Sequence, residues 1–205
     1  MDVKKTNRQL RAEETRERIV QAAKALIATK GFDETSIEDI TARAGVSIGS
    51  FYTYFKRKED VVRALDQTDF FRLAEITNEM TDKDIYERLA YYCSNFLRDI
   101  EETGIEICRQ WLKNNISPTD MLLGGIKTTK YRYDFGAMRS ILNEAVKRGE
   151  LSSNTPVDDL ALFITAQLYG LMVIWCMTDS EVTGSEKTDL MCEEIIKKAL
   201  SVYKI

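Results

Sequence analysis

Residues 36–58 constrain the fold more than any other stretch: Ser-Ile-Glu-Asp-Ile-Thr-Ala-Arg-Ala-Gly-Val-Ser-Ile-Gly-Ser-Phe-Tyr-Thr-Tyr-Phe-Lys-Arg-Lys. Ser36 with Asp39 three positions on is a capping-box pattern, which starts a helix by satisfying its first free N–H groups. Ile37, Ile40 and Ala44 repeat at helical spacing, and Gly45 is placed to stop that helix in the left-handed region. Ser47 then caps a second helix after a turn of about three residues, the length a helix-turn-helix uses. The spacing predicts that this second helix buries Ile48, Phe51 and Phe55 and turns Ser50, Tyr52 and Thr53 outward. Lys56, Arg57 and Lys58 follow at once. A short rod with neutral polar side chains outside and cations beside it suits a DNA major groove flanked by phosphates.

Composition supports a helical chain. Two prolines and ten glycines interrupt 205 residues, of which 44% are hydrophobic and 30% charged. No alternating Val/Thr-rich run appears, so the class expected is all-α. There is no histidine, which removes the commonest general base and metal ligand. No metal-spaced cluster and no Gly-rich phosphate loop appears either, so neither an enzyme, a metal site nor a cofactor is expected. Cys93, Cys108, Cys176 and Cys192 are widely spaced and are expected as buried free thiols. The N-terminus lacks an apolar signal core, and a cytoplasmic location is expected. The net charge of −4 is unevenly placed: residues 1–63 hold 13 basic and 10 acidic residues, and the rest 16 and 23. A mildly basic front on an acidic body fits a DNA-binding head.

Along the chain, residues 1–12 are expected as a mobile basic arm. A first helix is expected from Glu13 to Lys30, closed by Gly31, with Ile19, Ala22, Ala23, Leu26 and Ile27 as its apolar stripe. The head so defined covers residues 13–57. A continuous helix from Lys58 to about Met80 is expected to lead into a body spanning 58–205. Further helices are expected over 82–102, after a Thr81 cap, and over 105–114. The next starts at Ser117-Pro118 and is broken at Gly124-Gly125 before running to Lys147. The last two cover about 156–177 and 185–203, making about nine helices in all. Between Leu160 and Met177 only Thr165, Gln167 and Gly170 are not apolar. Its acidic flanks argue against a membrane span. A core helix whose outer face meets a second copy is expected instead, with the last helix completing a four-helix interface. Phe163, Leu168, Leu171, Trp175, Ile195, Ile196 and Leu200 are the expected interface residues. Aromatic and Met side chains on body helices suggest an apolar small-molecule cavity: Tyr92, Phe96, Trp111, Tyr131, Phe135, Met138 and Tyr169, with Arg109, Arg132 and Asp134 as polar candidates.

Gly31-Phe32, Thr35 to Ile40, Ala44 to Ser47, Gly49 to Lys56 and Lys58-Glu59-Asp60 resemble, at matching spacing, the TetR family of bacterial transcriptional regulators. The resemblance covers about residues 13–65; the body matches in length and helical layout. It implies a homodimer with helix-turn-helix heads, small-molecule pockets in the bodies, and repression of a palindromic operator relieved by ligand. Carried over by position, Thr35 and Ser36 would meet a phosphate; Ser47, Gly49, Ser50, Tyr52 and Thr53 would lie at bases; Tyr54 and Lys58 would meet the backbone, and Lys56, in the cluster beside the recognition helix, is expected at a phosphate. The chain departs from the family at Ile48, where polar or basic residues are usual, and at Arg57, where a Ser or Thr cap is common. An activator of the same fold, or a protein-interaction module that binds no DNA, are the alternatives.

Overall fold

The computed structural model describes residues 6–65, 69–116, 121–123 and 126–205. In chain order these form α1 (Asn7–Lys30), α2 (Ile37–Ala44), α3 (Ile48–Tyr54), α4 (Lys58–Leu65), α5 (Asp69–Glu79), α6 (Ile85–Thr103) and α7 (Ile105–Asn115). Then come β1 (Met121–Leu123), β2 (Ile126–Thr128), α8 (Lys130–Lys147), α9 (Val157–Met177), α10 (Gly184–Leu190) and α11 (Lys197–Ser201). A π-helical stretch, Met191–Ile196, joins α10 to α11. The regular structure among the described residues is therefore helical apart from one antiparallel ribbon, in which Met121 pairs with Thr128 and Leu123 with Ile126, and an isolated bridge between Leu151 and Lys204.

Two compact units emerge: one holds the chain up to residue 68 together with 106–114, the other 69–105 and 115–205. In the first, Ile19, Val20, Ala23 and Ile27 of α1 pack with Ile40, Ala44, Phe51 and Phe55. Val61 and Val62 of α4 and Ile107 of α7 complete that core, with Trp111 against it. In the second, α6 packs against α5, α8, α9 and α10, and α8 lies along α9. All four cysteines are buried thiols outside any disulfide, as their spacing suggests.

Several expectations change. Residues 7–12 are not an arm: Thr6 and Gln9 form a capping box that starts α1 at Asn7, six residues before the expected start at Glu13. The box is legible in the sequence, but polar residues after it mask the helical period. Asp84, not Thr81, caps α6, again through a box, with Glu87. Residues 121–123 and 126–128 pair as a ribbon where a helix is expected; two short runs separated in sequence by Gly-Gly are in fact a hairpin signal. The helix start at 117–120, the break at 124–125 and the continuity of the helix across 66–68 lie outside the described residues.

One described helix, α9, is long and apolar enough to cross a membrane. Its buried residues fall on one side: Leu160, Ala161, Ile164, Thr165, Leu168, Met172, Trp175 and Cys176. Leu168 and Trp175, with Ile196 of the π-helical stretch and Leu200 of α11, are thus core within one chain and not surface. A helix apolar all round gives no sequence signal of which side turns inward; here the 3.6-residue period against α6 and α8 decides. Phe163, Leu162, Ile174, Met177 and Ile195 remain exposed, and Leu171 is half-buried.

Candidate nucleic-acid interface and body site

The head is built by its caps. Ser36 Oγ accepts the Asp39 N–H at 3.0 Å, and the Asp39 carboxylate accepts the Ser36 N–H at 3.1 Å. Lys30 Nζ reaches the same carboxylate at 2.6 Å. These bonds, Lys30 foremost, hold the Asp39 carboxyl well below its usual range. Gly45 stands at φ 64°, ψ 41°, the left-handed stop the sequence calls for. Ser47 Oγ then accepts the Ser50 N–H at 3.1 Å and starts α3. The position occupied by Arg57 has no side-chain cap of its own; the Asp60 carboxylate instead accepts the Lys56 and Arg57 N–H groups at 3.1 and 2.9 Å.

Phe51 and Phe55 anchor α3 in the core with their rings 5.6 Å apart, and Tyr54 packs partly against it. Ile48, expected inside, is 45% exposed, and Tyr52 is 55% exposed. The reason is register: Phe51 and Phe55 are four apart and set the buried line, while Ile48 and Tyr52 form the parallel line outside. Ser47, Gly49, Thr53 and Lys56 are exposed beside them, and Ser50 is half-buried. Much of the polar capacity there is used locally. The Ser47 and Ser50 hydroxyls bond each other at 3.0 Å, and Thr53 Oγ1 donates to Gly49 O at 3.1 Å.

Two expected phosphate contacts have other work. Thr35 is fully buried, and its hydroxyl donates to Gly31 O at 2.7 Å. Lys58 Nζ donates to Phe32 O and Thr35 O, each at 2.7 Å, and lies 4.2 Å from the Phe32 ring centroid. Its ammonium thus ties the α1–α2 turn to the start of α4. Such a long-range lysine bond has no local sequence signature, so it cannot be told in advance from a surface cation. Lys56 and Arg57 are left exposed beside α3. Ser36 is half-buried, its hydroxyl already engaged with Asp39.

In the second unit, Tyr92, Phe96 and Met138 are buried. Tyr92 stacks on Phe96 at 6.2 Å, and Tyr169 lies 6.3 Å from Phe96. Buried among them is an ion pair, Lys130 with Asp134, one turn apart on α8. Tyr169 Oη donates to Asp134 Oδ2 at 2.6 Å, and Lys130 Nζ lies 5.4 Å from the Phe96 centroid. Burial, then the Asp134 charge, push the Tyr92 phenol well above its usual range and Tyr133 up to about 12. Thr165, one turn before Tyr169 on α9, has a buried hydroxyl with no hydrogen-bond partner among the described residues.

Asp134, a candidate polar anchor, is thus buried with Lys130, which is not among the candidates. An i,i+4 Lys–Asp pair looks like any solvated helix face. Other candidates fall elsewhere. Trp111 packs on the head core; Arg109 pairs with Glu106 at 2.8 Å; Tyr131 and Arg132 are exposed, Tyr131 stacking on a half-buried Phe135. Among the described residues no group of His, Cys, Asp and Glu could hold a metal ion.

Comparison with known proteins agrees with this geometry. Residues 19–65 match the family model of bacterial regulatory proteins of the tetR family. The uncharacterized HTH-type transcriptional regulator YvdT of Bacillus subtilis is 45% identical over 49 residues, 24% of this chain and only 25% of YvdT. A TetR-family transcriptional regulator (ECA1819) from Pectobacterium atrosepticum has the same fold over 98% of both chains, with a TM-score of 0.69 and 18% identity. The structure of a SmeT–triclosan complex matches over 90% of both chains, with a TM-score of 0.60 and 20% identity. Residues 19–65, with their capped helix-turn-helix, thus belong to the tetR family of bacterial regulatory proteins, and the helical body that follows has the fold of TetR-family structures.

Proposed function

We infer that the protein is a ligand-responsive repressor that acts as a homodimer on a palindromic operator. The observation that carries this is the outward side of α3. It is free of charge, stands clear of the core, and is followed at once by exposed Lys56 and Arg57. Neutral side chains at base edges beside cations on phosphates is the division of labour that DNA readout needs. Ser47, Gly49, Ser50, Tyr52 and Thr53 are the base-facing set. Lys56, Arg57 and the Tyr54 hydroxyl are the backbone set, with Thr35 and Lys58 withdrawn. Two heads would engage half-sites whose centres lie roughly 34–36 Å apart, or a multiple of that. Random-site selection with purified protein tests the reading: one palindrome should be enriched, and recovery of no preferred duplex would refute it.

The second copy would cover Leu162, Phe163, Ile174 and Met177 of α9, Leu190 of α10 and Ile195 of the π-helical stretch. This also accounts for the apolarity of α9 without a membrane. The effector would be a small, mainly apolar molecule in the body, held among Tyr92, Phe96, Met138 and Tyr169. Asp134, Lys130 and the unpartnered Thr165 hydroxyl offer it a polar end. The SmeT–triclosan complex, of the same fold, supports an effector of that kind. A coupling of roughly 1–3 kcal/mol suffices, since it changes operator affinity about 5–150-fold. Thermal-shift screening should find apolar compounds that raise the melting temperature and lower operator affinity together.

A further inference from the structure

We propose that Ile48 reads the 5-methyl group of a thymine in each operator half-site, and that Gly49 lets the helix backbone come close enough for that contact. The inference rests on the regulator reading above and adds to it the base that an uncharged recognition surface selects.

Ile48 leads the exposed line of α3, with Tyr52 one turn on. Both are left out of the core because Phe51 and Phe55 occupy it. Three hydroxyls of the base-facing set are already partly engaged with one another or with the helix backbone. Ser47 and Ser50 share a hydrogen bond, and Thr53 spends its proton on Gly49 O. An aliphatic side chain forms no hydrogen bond. On the major-groove edges of the four base pairs the one apolar group is the thymine methyl. A side chain of this chemistry, seated in that groove, therefore discriminates by covering a methyl.

Gly49 is a separate observation that points the same way. Its backbone is not in the left-handed region, and a Cβ there would meet nothing nearer than Ser47 Oγ at 3.8 Å. The head's own fold gives no reason for glycine, the least helix-favouring residue after proline. A missing side chain next to Ile48 lowers the surface on either side of it. That is useful when another surface must approach the backbone closely.

The test starts from the duplex enriched by random-site selection. Each thymine is replaced in turn by deoxyuridine, which removes the methyl and leaves the hydrogen-bonding edge intact. Wild-type protein should lose about fourfold in affinity when either thymine of one symmetry-related pair is replaced, the worth of one buried methyl group. The Ile48→Ala variant should be indifferent to that replacement, and Ile48→Val should retain most of the sensitivity. Ile48 is largely outside the core, so Ile48→Ala should melt at the wild-type temperature, which checks folding directly. Placing 5-methylcytosine at that position should recover part of the lost affinity for wild type alone. Affinity that falls at no thymine, or falls equally for wild type and Ile48→Ala, overturns the inference while the regulator reading stands. Failure to enrich any duplex overturns both.

Discussion

Lys58 shows how one side chain changes meaning once its partners are known. With two backbone carbonyls at 2.7 Å and a ring beneath it, Lys58→Met should destabilise the head by about 1.5–3 kcal/mol, the range for hydrogen bonds to a charged group. Urea unfolding measures this. The same variant should leave the salt dependence of DNA binding nearly unchanged, whereas Lys56→Ala or Arg57→Ala should each lower the slope of log affinity against log salt by about one. Asp39 gives a pH test. Its folded value is depressed below the ordinary 3.8 by Lys30 and Ser36. The cap it forms is therefore complete above the unfolded carboxylate value and weakens as pH falls below it. The stability gap between wild type and Asp39→Asn should narrow in acid, and a gap constant from pH 7 to pH 3 would contradict the assignment.

Helices α2 and α3 are short, and their ends are specified by local chemistry. The Ser36–Asp39 box, Gly45 and Ser47 all stand where their residue types predict, because a cap involves atoms within four positions of each other. Which line of α3 faces inward was less legible. Ile48 and Phe51 are both large and apolar, and only packing against α1 and α2 ranks them. Gly49→Ala should stabilise the head by about 0.5–1 kcal/mol, since the helix accepts a methyl there. The same change should weaken operator binding, so stability and affinity should move in opposite directions. On α8 the buried Lys130–Asp134 pair should behave as a unit. Asp134→Asn, which removes the negative charge facing a buried ammonium, should cost about 3–5 kcal/mol. Lys130→Met with Asp134→Leu and Tyr169→Phe should cost far less, and thermal unfolding of the two variants separates these outcomes.

For the whole molecule, α9 and the last helix matter most. Phe163, Ile174 and Met177 remain 38%, 43% and 78% exposed on a helix otherwise fit for a core. An apolar face of this kind in solution marks a docking surface. Phe163→Glu with Ile174→Glu should yield a folded monomer by light scattering and abolish cooperative binding to a two-half-site operator. A variant that stays dimeric would move the interface elsewhere. Pattern and caps in the sequence determined the helical class, the turn between α2 and α3, and the family to which the head belongs. These follow from interactions a few residues long, whose energies do not depend on the rest of the chain. Tertiary structure alone decided that Ile48 is outside, that Thr35 and Lys58 serve the fold, that Trp111 joins the head core, and that Leu168 and Trp175 are inside while Phe163 is not. It also brought Lys130, Asp134 and Tyr169 together, across 35 residues for the last pair. Each of these depends on which of several similar surfaces is covered by a distant segment. Such coverage is a property of three-dimensional packing that no local residue pattern encodes.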